Sequence, residues 1–263
     1  MARRKSVVSV LFIYLLLCSC VSEPIRPKAN KVKAVQAYIS VGTEYMRLGD
    51  MERATRHLSR ALELNSKSPD AHNAVALLHQ STKDTTLAEK HFKKAIHYGS
   101  NYSVAENNYG SFLFASGRFE EAIKHLERAA DDPSYENRGQ SYENVGRCYV
   151  ALKKDPEAII AFDRSLLINP NLSRSYLELA DIALQKKDLH EAKKNIDKFH
   201  AMTRKIPRSL WIGIQVERVL GDKNLLSSYE LTLKSLYADS REFRLYQESM
   251  KKESVSNGQS GKD

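Results

Sequence analysis

From about residue 34 onward, apolar positions recur at three- and four-residue steps, the period of amphipathic helices. A longer period overlies this one. Gly42, Ala76, Gly110, Gly146 and Ala180 fall 34, 34, 36 and 34 residues apart. Twelve residues after each stand Ala54, Ala88, Ala122, Ala158 and Ala192, and four further on stand Leu58, Phe92, Leu126, Phe162 and Ile196. A small residue in the middle of one helix and another early in the next let the two approach closely. The large residue four on lies on the same helix face and fills the gap. The stretches "RLGDMERA", "ASGRFEEA", "KKDPEA" and "QKKDLHEA" place Gly or Asp just before a helix start. The prolines of "KSPDAH" and "INPN" separate one unit from the next. An unrelated helical bundle would not keep this period.

The pattern resembles the tetratricopeptide repeat, a helix-turn-helix unit of 34 residues. That resemblance implies an all-α fold, a right-handed superhelix (α-solenoid) over residues 34–252. Repeats are expected near 35–68, 69–102, 103–138, 139–172 and 173–206, with an atypical sixth at 207–238, where Leu226 stands in place of the usual Ala. A last helix from about Ser240 to Met250 should cap the array, and 253–263, "ESVSNGQSGKD", reads as a disordered tail. The spacing of 36 predicts two extra residues in "DDPSYENRGQ", between repeats three and four, with a bulge or a changed superhelical turn there.

The N-terminus has another character. "MARRKSVVSVLFIYLLLCSC" has a basic start, an apolar core from Val7 to Leu17 and small residues at its end. That is the pattern of a secretory signal, too short for a comfortable membrane span. Its end resembles a bacterial lipobox, which requires a small residue before the acylated cysteine. Cys20 follows Ser19, whereas Cys18 follows the bulky Leu17. The resemblance implies a signal peptide over 1–19, a lipid on Cys20 and, with Val21 rather than Asp beside it, sorting to the outer membrane. An ordinary secreted protein and an uncleaved anchor are the alternatives. Residues 20–33, which include two prolines and no apolar period, read as a lipidated tether. After processing, Cys148 is the one remaining thiol, so the fold must stand on packing, with Cys148 as a small buried hydrophobe.

Charge and candidate chemistry change little. The formal charge is +9, and loss of residues 1–19, with Arg3, Arg4 and Lys5 and no acid, leaves +6 without a basic block. No nucleic-acid partner is expected. The sequence holds no metal-binding spacing, phosphate loop or nucleophile motif, so no catalytic residue, metal, cofactor or small-molecule substrate is assigned. His72 and His79 share a helix face, but they occupy the repeat's own packing positions.

Stacked repeats offer surface. The family's register turns the second, fifth, ninth, twelfth and thirteenth positions of each repeat toward a concave groove. On this chain these include Asn73, Leu77, Asn107, Ser111, Phe114, Glu143, Arg147, Val150, Leu177, Leu184, Trp211 and Arg218. Amide side chains beside apolar pockets suit an extended peptide. Two readings of Trp211 stay open, a groove hot spot or packing against the capping helix. Ile39 stands where a carboxylate-clamp Lys would be expected, which disfavours recognition of free C-termini.

One stretch is more particular. "VAENNYGSFLFASGRFEEAIKHLERAADDPSYENRGQSYENVGRCYV" is similar to the type IV pilus biogenesis and stability lipoproteins, the PilF/PilW pilotin family. The resemblance covers lipobox, tether, repeats and the "SLWIG" segment. It departs at Phe114, where the family leads one to expect Cys, and so implies no disulfide to Cys148. It implies a lipid-anchored outer-membrane protein facing the periplasm. Such a protein, a monomer, would bind the pilus secretin and promote its multimer assembly, hence pilus biogenesis and twitching motility. A generic repeat-lipoprotein scaffold for other envelope machinery is the alternative.

Overall fold

A computed structural model describes residues 28–259, with side chains over 30–252. The expected signal peptide, the lipid site at Cys20, most of the tether and the last residues of the tail lie outside the described residues. Among those described there are thirteen helices and no strand. Six antiparallel pairs succeed one another: α1 (Lys28–Arg47) with α2 (Met51–Leu64), α3 (Pro69–Ser81) with α4 (Thr85–Tyr98), and α5 (Ser103–Ala115) with α6 (Phe119–Asp131). Then come α7 (Arg138–Ala151) with α8 (Asp155–Ile168), α9 (Ser173–Gln185) with α10 (Leu189–Met202), and α11 (Pro207–Leu220) with α12 (Lys223–Leu236). The thirteenth, α13 (Arg241–Gln259), packs on α11 more than on α12. No helix among the described residues is long and apolar enough to cross a membrane.

The 34-residue period is a packing device. Ala54, Ala88, Ala122, Ala158 and Ala192 are fully buried, and so are Leu58, Phe92, Leu126 and Phe162. A Cβ on Gly42 would lie 2.7 Å from Leu58, one on Gly110 2.6 Å from Leu126, and one on Gly146 2.6 Å from Phe162. At these crossings any side chain larger than hydrogen would push the helices apart. The sixth pair keeps the device with different residues, since a Cβ on Gly213 would meet Tyr229 at 2.6 Å. Cys148 is fully buried in this core, and burial pushes its thiol up to about 12, so it stays a protonated hydrophobe.

The turn inside each repeat has one recurring element. Gly49, Lys83, Gly117, Lys153, Lys187 and Gly221 all adopt positive φ, between 59° and 93°. This left-handed residue closes the first helix, as in a Schellman ending, where Asp84 N–H donates to the His79 carbonyl at 2.9 Å. The next residue starts the second helix. Asp50, Asp84, Asp188 and Asp222 each accept a backbone N–H from the first turn, at 2.9, 3.0, 3.1 and 3.0 Å. Repeats three and four have Arg118 and Lys154 there, with no side-chain cap.

The two extra residues fall between α6 and α7, in the loop 132–137, where other inter-repeat loops span 65–68, 99–102, 169–172, 203–206 and 237–240. Across it α6 packs on α7 more extensively than any other second helix packs on the next first helix. Tyr142 Oη donates to Asp131 at 2.8 Å and Arg138 Nε to the Ala130 carbonyl at 3.0 Å, tying the long connection down.

At both ends the helices are longer than the sequence pattern suggests. α1 begins at Lys28, inside the stretch read as tether. Lys and Ala propagate helix well, and Pro27 precedes the first turn, so an apolar stripe is not needed until Val35 and Ile39, which are buried. α13 continues through residues 253–259, read from sequence as disordered tail. Asn257 and Gly258, the residues that favour a helix end, come only in its last turn, and no proline intervenes.

Candidate functional site

The first helices α3, α5, α7, α9 and α11 bring the register positions onto one wall. In its first half the polar side chains bond from helix to helix. Asn108 Nδ2 donates to Asn73 Oδ1 at 3.1 Å, and Ser141 Oγ to Asn107 Oδ1 at 2.9 Å. Asn144 Nδ2 donates to Ser111 Oγ at 3.4 Å, and within α7 Arg147 Nη1 donates to Asn144 Oδ1 at 3.1 Å. The Arg147 guanidinium lies 4.4 Å over the Phe114 ring, whose edge meets Phe119 at 5.4 Å. Burial, then the nearby Arg174, hold Arg147 below the usual guanidinium range. Leu77, Asn107, Ser111, Phe114, Arg147 and Val150 are half-buried and reachable from the groove. Among the described residues nothing accepts from Asn107 Nδ2.

Other register positions serve packing. Asn73, Glu143 and Leu177 are buried. Glu143 accepts from Gln140 at 2.7 Å and from Ser175 Oγ, on the next first helix, at 3.0 Å. Leu177 belongs to the core shared by α9, α10 and α11. Ile39 is likewise a core residue. His72 Nε2 donates to the Ser66 carbonyl at 3.0 Å, its Nδ1 pairs with His91 Nδ1 at 3.0 Å, and its ring stacks on Tyr98 at 5.5 Å. Among the described residues no cluster could hold a metal ion.

The second half of the wall carries two abutting clefts of about 390 and 400 Å³ that share Asp181, Gln185 and Arg208. Val150 lines the first, and Leu184 and Trp211 line the second. At their junction Arg208 forms a fork on Glu178, at 2.9 and 2.7 Å, and reaches Asp181. Burial opposes the Arg208 charge, but the two carboxylates outweigh it and hold the guanidinium protonated more firmly than usual. Asp181, Gln185 and Arg208 were not singled out in the sequence, although they occupy the ninth, thirteenth and second positions of the same register. Carrying the count through every repeat would have found them.

The far end of the wall is covered by α13. Arg218 Nη1 donates to Ser249 Oγ at 2.8 Å, its guanidinium lies 5.3 Å from the Tyr246 ring, and Glu230 pairs with it at 3.6 Å. Trp211, Phe243 and Tyr246 pack against the core of Leu210, Ile214, Tyr229 and Leu233, and Arg241 and Leu245 face Trp211 across the second cleft. Trp211 thus packs at the end of the array, as the second reading expected, and one side of it also lines the second cleft.

Fold and wall define a tetratricopeptide-repeat protein, an α-solenoid. Tetratricopeptide-repeat models match residues 42–104, 101–168 and 173–199. The type IV pilus assembly protein PilF of Pseudomonas aeruginosa is 33% identical over 247 residues, 91% of this chain and 98% of that one, and this chain belongs to the PilF family. A solved structure of P. aeruginosa PilF covers 83% of this chain and 99% of its own, with a TM-score of 0.80 and 34% identity. PilW, described as a widely conserved type IV pilus biogenesis factor, matches with a TM-score of 0.71 over 81% of this chain and 98% of its own at 24% identity, a likeness of fold. Homology to PilF supports a role in type IV pilus biogenesis.

Proposed function

We propose that the chain is a pilotin: an outer-membrane lipoprotein, anchored through Cys20 and facing the periplasm, that binds the pilus secretin and promotes its localisation and multimer assembly. The observation that carries this reading is the 33% identity to PilF across 91% of the chain. The open half of the wall supports it, because Asn107, Ser111, Phe114 and Arg147 offer amide, hydroxyl, ring and cation to an extended segment. Each buried methylene of an anchor contributes about 0.8 kcal/mol, and one acyl chain is marginal, so a multiply acylated cysteine would hold the complex at the membrane. Lipidation would then turn affinity for a partner into localisation.

Deletion of the gene should reduce heat-resistant secretin multimers and surface pili, and the wild-type gene should restore both. Cys20→Ala should yield a folded but mislocalised protein. Asn107→Ala with Phe114→Ala should weaken secretin pull-down at unchanged helicity. Unchanged multimers in the deletion strain would reject the pilotin role and leave a scaffold for another envelope assembly. Outer-membrane fractionation of Cys20→Ala would reject the anchor.

A further inference from the structure

On the side away from the groove, the junction of repeats three and four differs from the junction before it. Between α4, α5 and α6 the space is full: Tyr109 and His125 meet edge to face at 4.6 Å. Lys93 pairs there with Glu89 at 2.7 Å, and Glu121 pairs with Arg118 at 2.7 Å. One repeat later, between α6, α7 and α8, Val145 and Ala161 stand at the positions of Tyr109 and His125, and a pocket of about 140 Å³ opens. Glu127 stands where Lys93 stood, and Glu157 corresponds to Glu121. Both line the pocket, and among the described residues neither has an ion-pair partner.

Tyr142 and Tyr149 supply aromatic walls. Both carboxylates share this pocket with Tyr149, and after burial they push the Tyr149 phenol up. Arg164, which also lines the pocket, lies 5.7 Å from the Tyr142 ring, and among the described residues no cation stacks on Tyr149. At the rim Ile160 is 55% exposed and, two turns along the same helix, Leu167 is 86% exposed. The space is well below the roughly 300–1,000 Å³ of small-molecule sites, and matches one side chain rather than a ligand.

We propose that this pocket receives a single Lys or Arg side chain from a segment of a partner protein, with that segment's neighbouring apolar residues resting on Ile160 and Leu167. The aliphatic stem would lie along Val145 and Ala161. The cation would sit against Tyr149 between the carboxylates, where ring face and charge attract it together. A cation brought here also compensates Glu157, as Arg118 compensates its counterpart Glu121 in the preceding repeat. The inference does not depend on the identity of the pilus partner.

The test titrates the full-length chain in detergent with acetylated, amidated pentapeptides Gly-Leu-Arg-Leu-Gly and Gly-Leu-Lys-Leu-Gly, against the norleucine counterpart, while Tyr142 and Tyr149 ring signals are followed by NMR. The basic peptides should shift those two rings and bind at least tenfold more tightly than the norleucine peptide. Glu127→Gln with Glu157→Gln should remove that preference at unchanged helicity. Ala161→His, which refills the space as in the repeat before, should abolish binding. Asn107→Ala with Phe114→Ala, on the opposite wall, should leave it intact. Equal binding of the norleucine peptide, an unchanged preference in the double Gln variant, or no binding of either basic peptide at millimolar concentration would overturn the proposal. Loss of a self-associated dimer in the double Gln variant would overturn it in favour of a second copy as occupant.

Discussion

In the first half of the concave wall, from α3 to α7, Asn73, Asn107, Ser111 and Asn144 belong to hydrogen bonds from one first helix to the next, Arg147 is held on Asn144 within α7, and several stay half-exposed. In the second half, from α9 to α11, equivalent positions turn toward the chain's own last helix, and Arg218 is bound to Ser249 and Tyr246. The two halves come from one repeat, so the contrast is in what covers them. A solenoid repeat contacts only its neighbours, and the last one has no successor to bury its face. α13 supplies that cover and in doing so occupies groove as well as end. The half from α3 to α7 is therefore free of α13 and open, and the half from α9 to α11 is closed at its far end by α13, next to its two clefts.

The contrast can be broken most strongly by removing residues 241–263. The core of Leu210, Ile214, Tyr229 and Leu233 would then lose its cover, at a cost of about 3–5 kcal/mol, the scale of deleting one large core side chain. Amide exchange should accelerate across 207–236 and change little across 69–131. An equal acceleration in both would show that the halves are not separable. Next in size is Arg208→Ala, which leaves the buried Glu178 carboxylate without its fork. The loss should be about 2–3 kcal/mol in urea unfolding, below the full value for a buried pair because Arg208 is partly exposed. Arg208→Lys should recover only part of it, since an ammonium cannot make the bidentate contact.

Acid should then weaken the closed half. Burial, followed by Lys205, lowers His200 from 6.5 to about 4, while its ring nitrogens bond Ser209 Oγ at 3.0 Å and Tyr229 Oη at 3.2 Å. The unfolded chain takes up a proton near pH 6.5 and the folded chain only near 4. Stability is thus complete above pH 6.5, falls as pH drops through that window, and levels off below about 4. Discounted for partial exposure, the loss should be about 1–2 kcal/mol between pH 7 and 4. His91, in the open half, is lowered to about 4 by burial and by His72 and His79, so the slope should persist in part in His200→Gln. A stability curve unchanged by that substitution would remove His200 from the account. Asn107→Ala is a smaller probe of the open half, costing about 1 kcal/mol for one hydrogen bond to the buried Ser141.

Which of these features were readable beforehand follows from what a one-dimensional pattern encodes. The pairs Gly42–Leu58, Gly110–Leu126 and Gly146–Phe162 were legible because close approach demands a missing Cβ, and that demand recurs at a fixed period. The groove's direction came with the resemblance to the repeat family, whose register supplies it. Depth was not. Glu143 and Leu177 hold groove-facing register positions, yet neighbouring helices cover them, and a register gives an azimuth rather than the height of the walls around it. A capping helix was expected, but nothing in its own residues said that it would lie over Arg218 and beside Trp211. The pocket beside Tyr149 arises from absences, Val145 for Tyr109 and Ala161 for His125, which show only when two repeats are superposed.

The left-handed turn residues give the finest test, because they compare the halves at identical backbone positions. Gly49, Gly117 and Gly221 hold positive φ without a side-chain penalty, whereas Lys83, Lys153 and Lys187 hold φ of 64°, 59° and 62° with a Cβ against the following carbonyl. Lys153→Gly should relieve that strain, offset in part by the greater freedom of glycine in the unfolded chain. The net gain should be about 0.5–1 kcal/mol, seen as a higher urea midpoint at constant slope. Lys153 also lines the first cleft, so its removal tests whether that cation matters to a partner while the fold is strengthened. Lys83→Gly, in repeat two, changes the same backbone position outside that cleft. Tighter folding with unchanged partner binding in Lys83→Gly, against tighter folding with altered binding in Lys153→Gly, would separate strain from recognition at two positions the backbone treats alike.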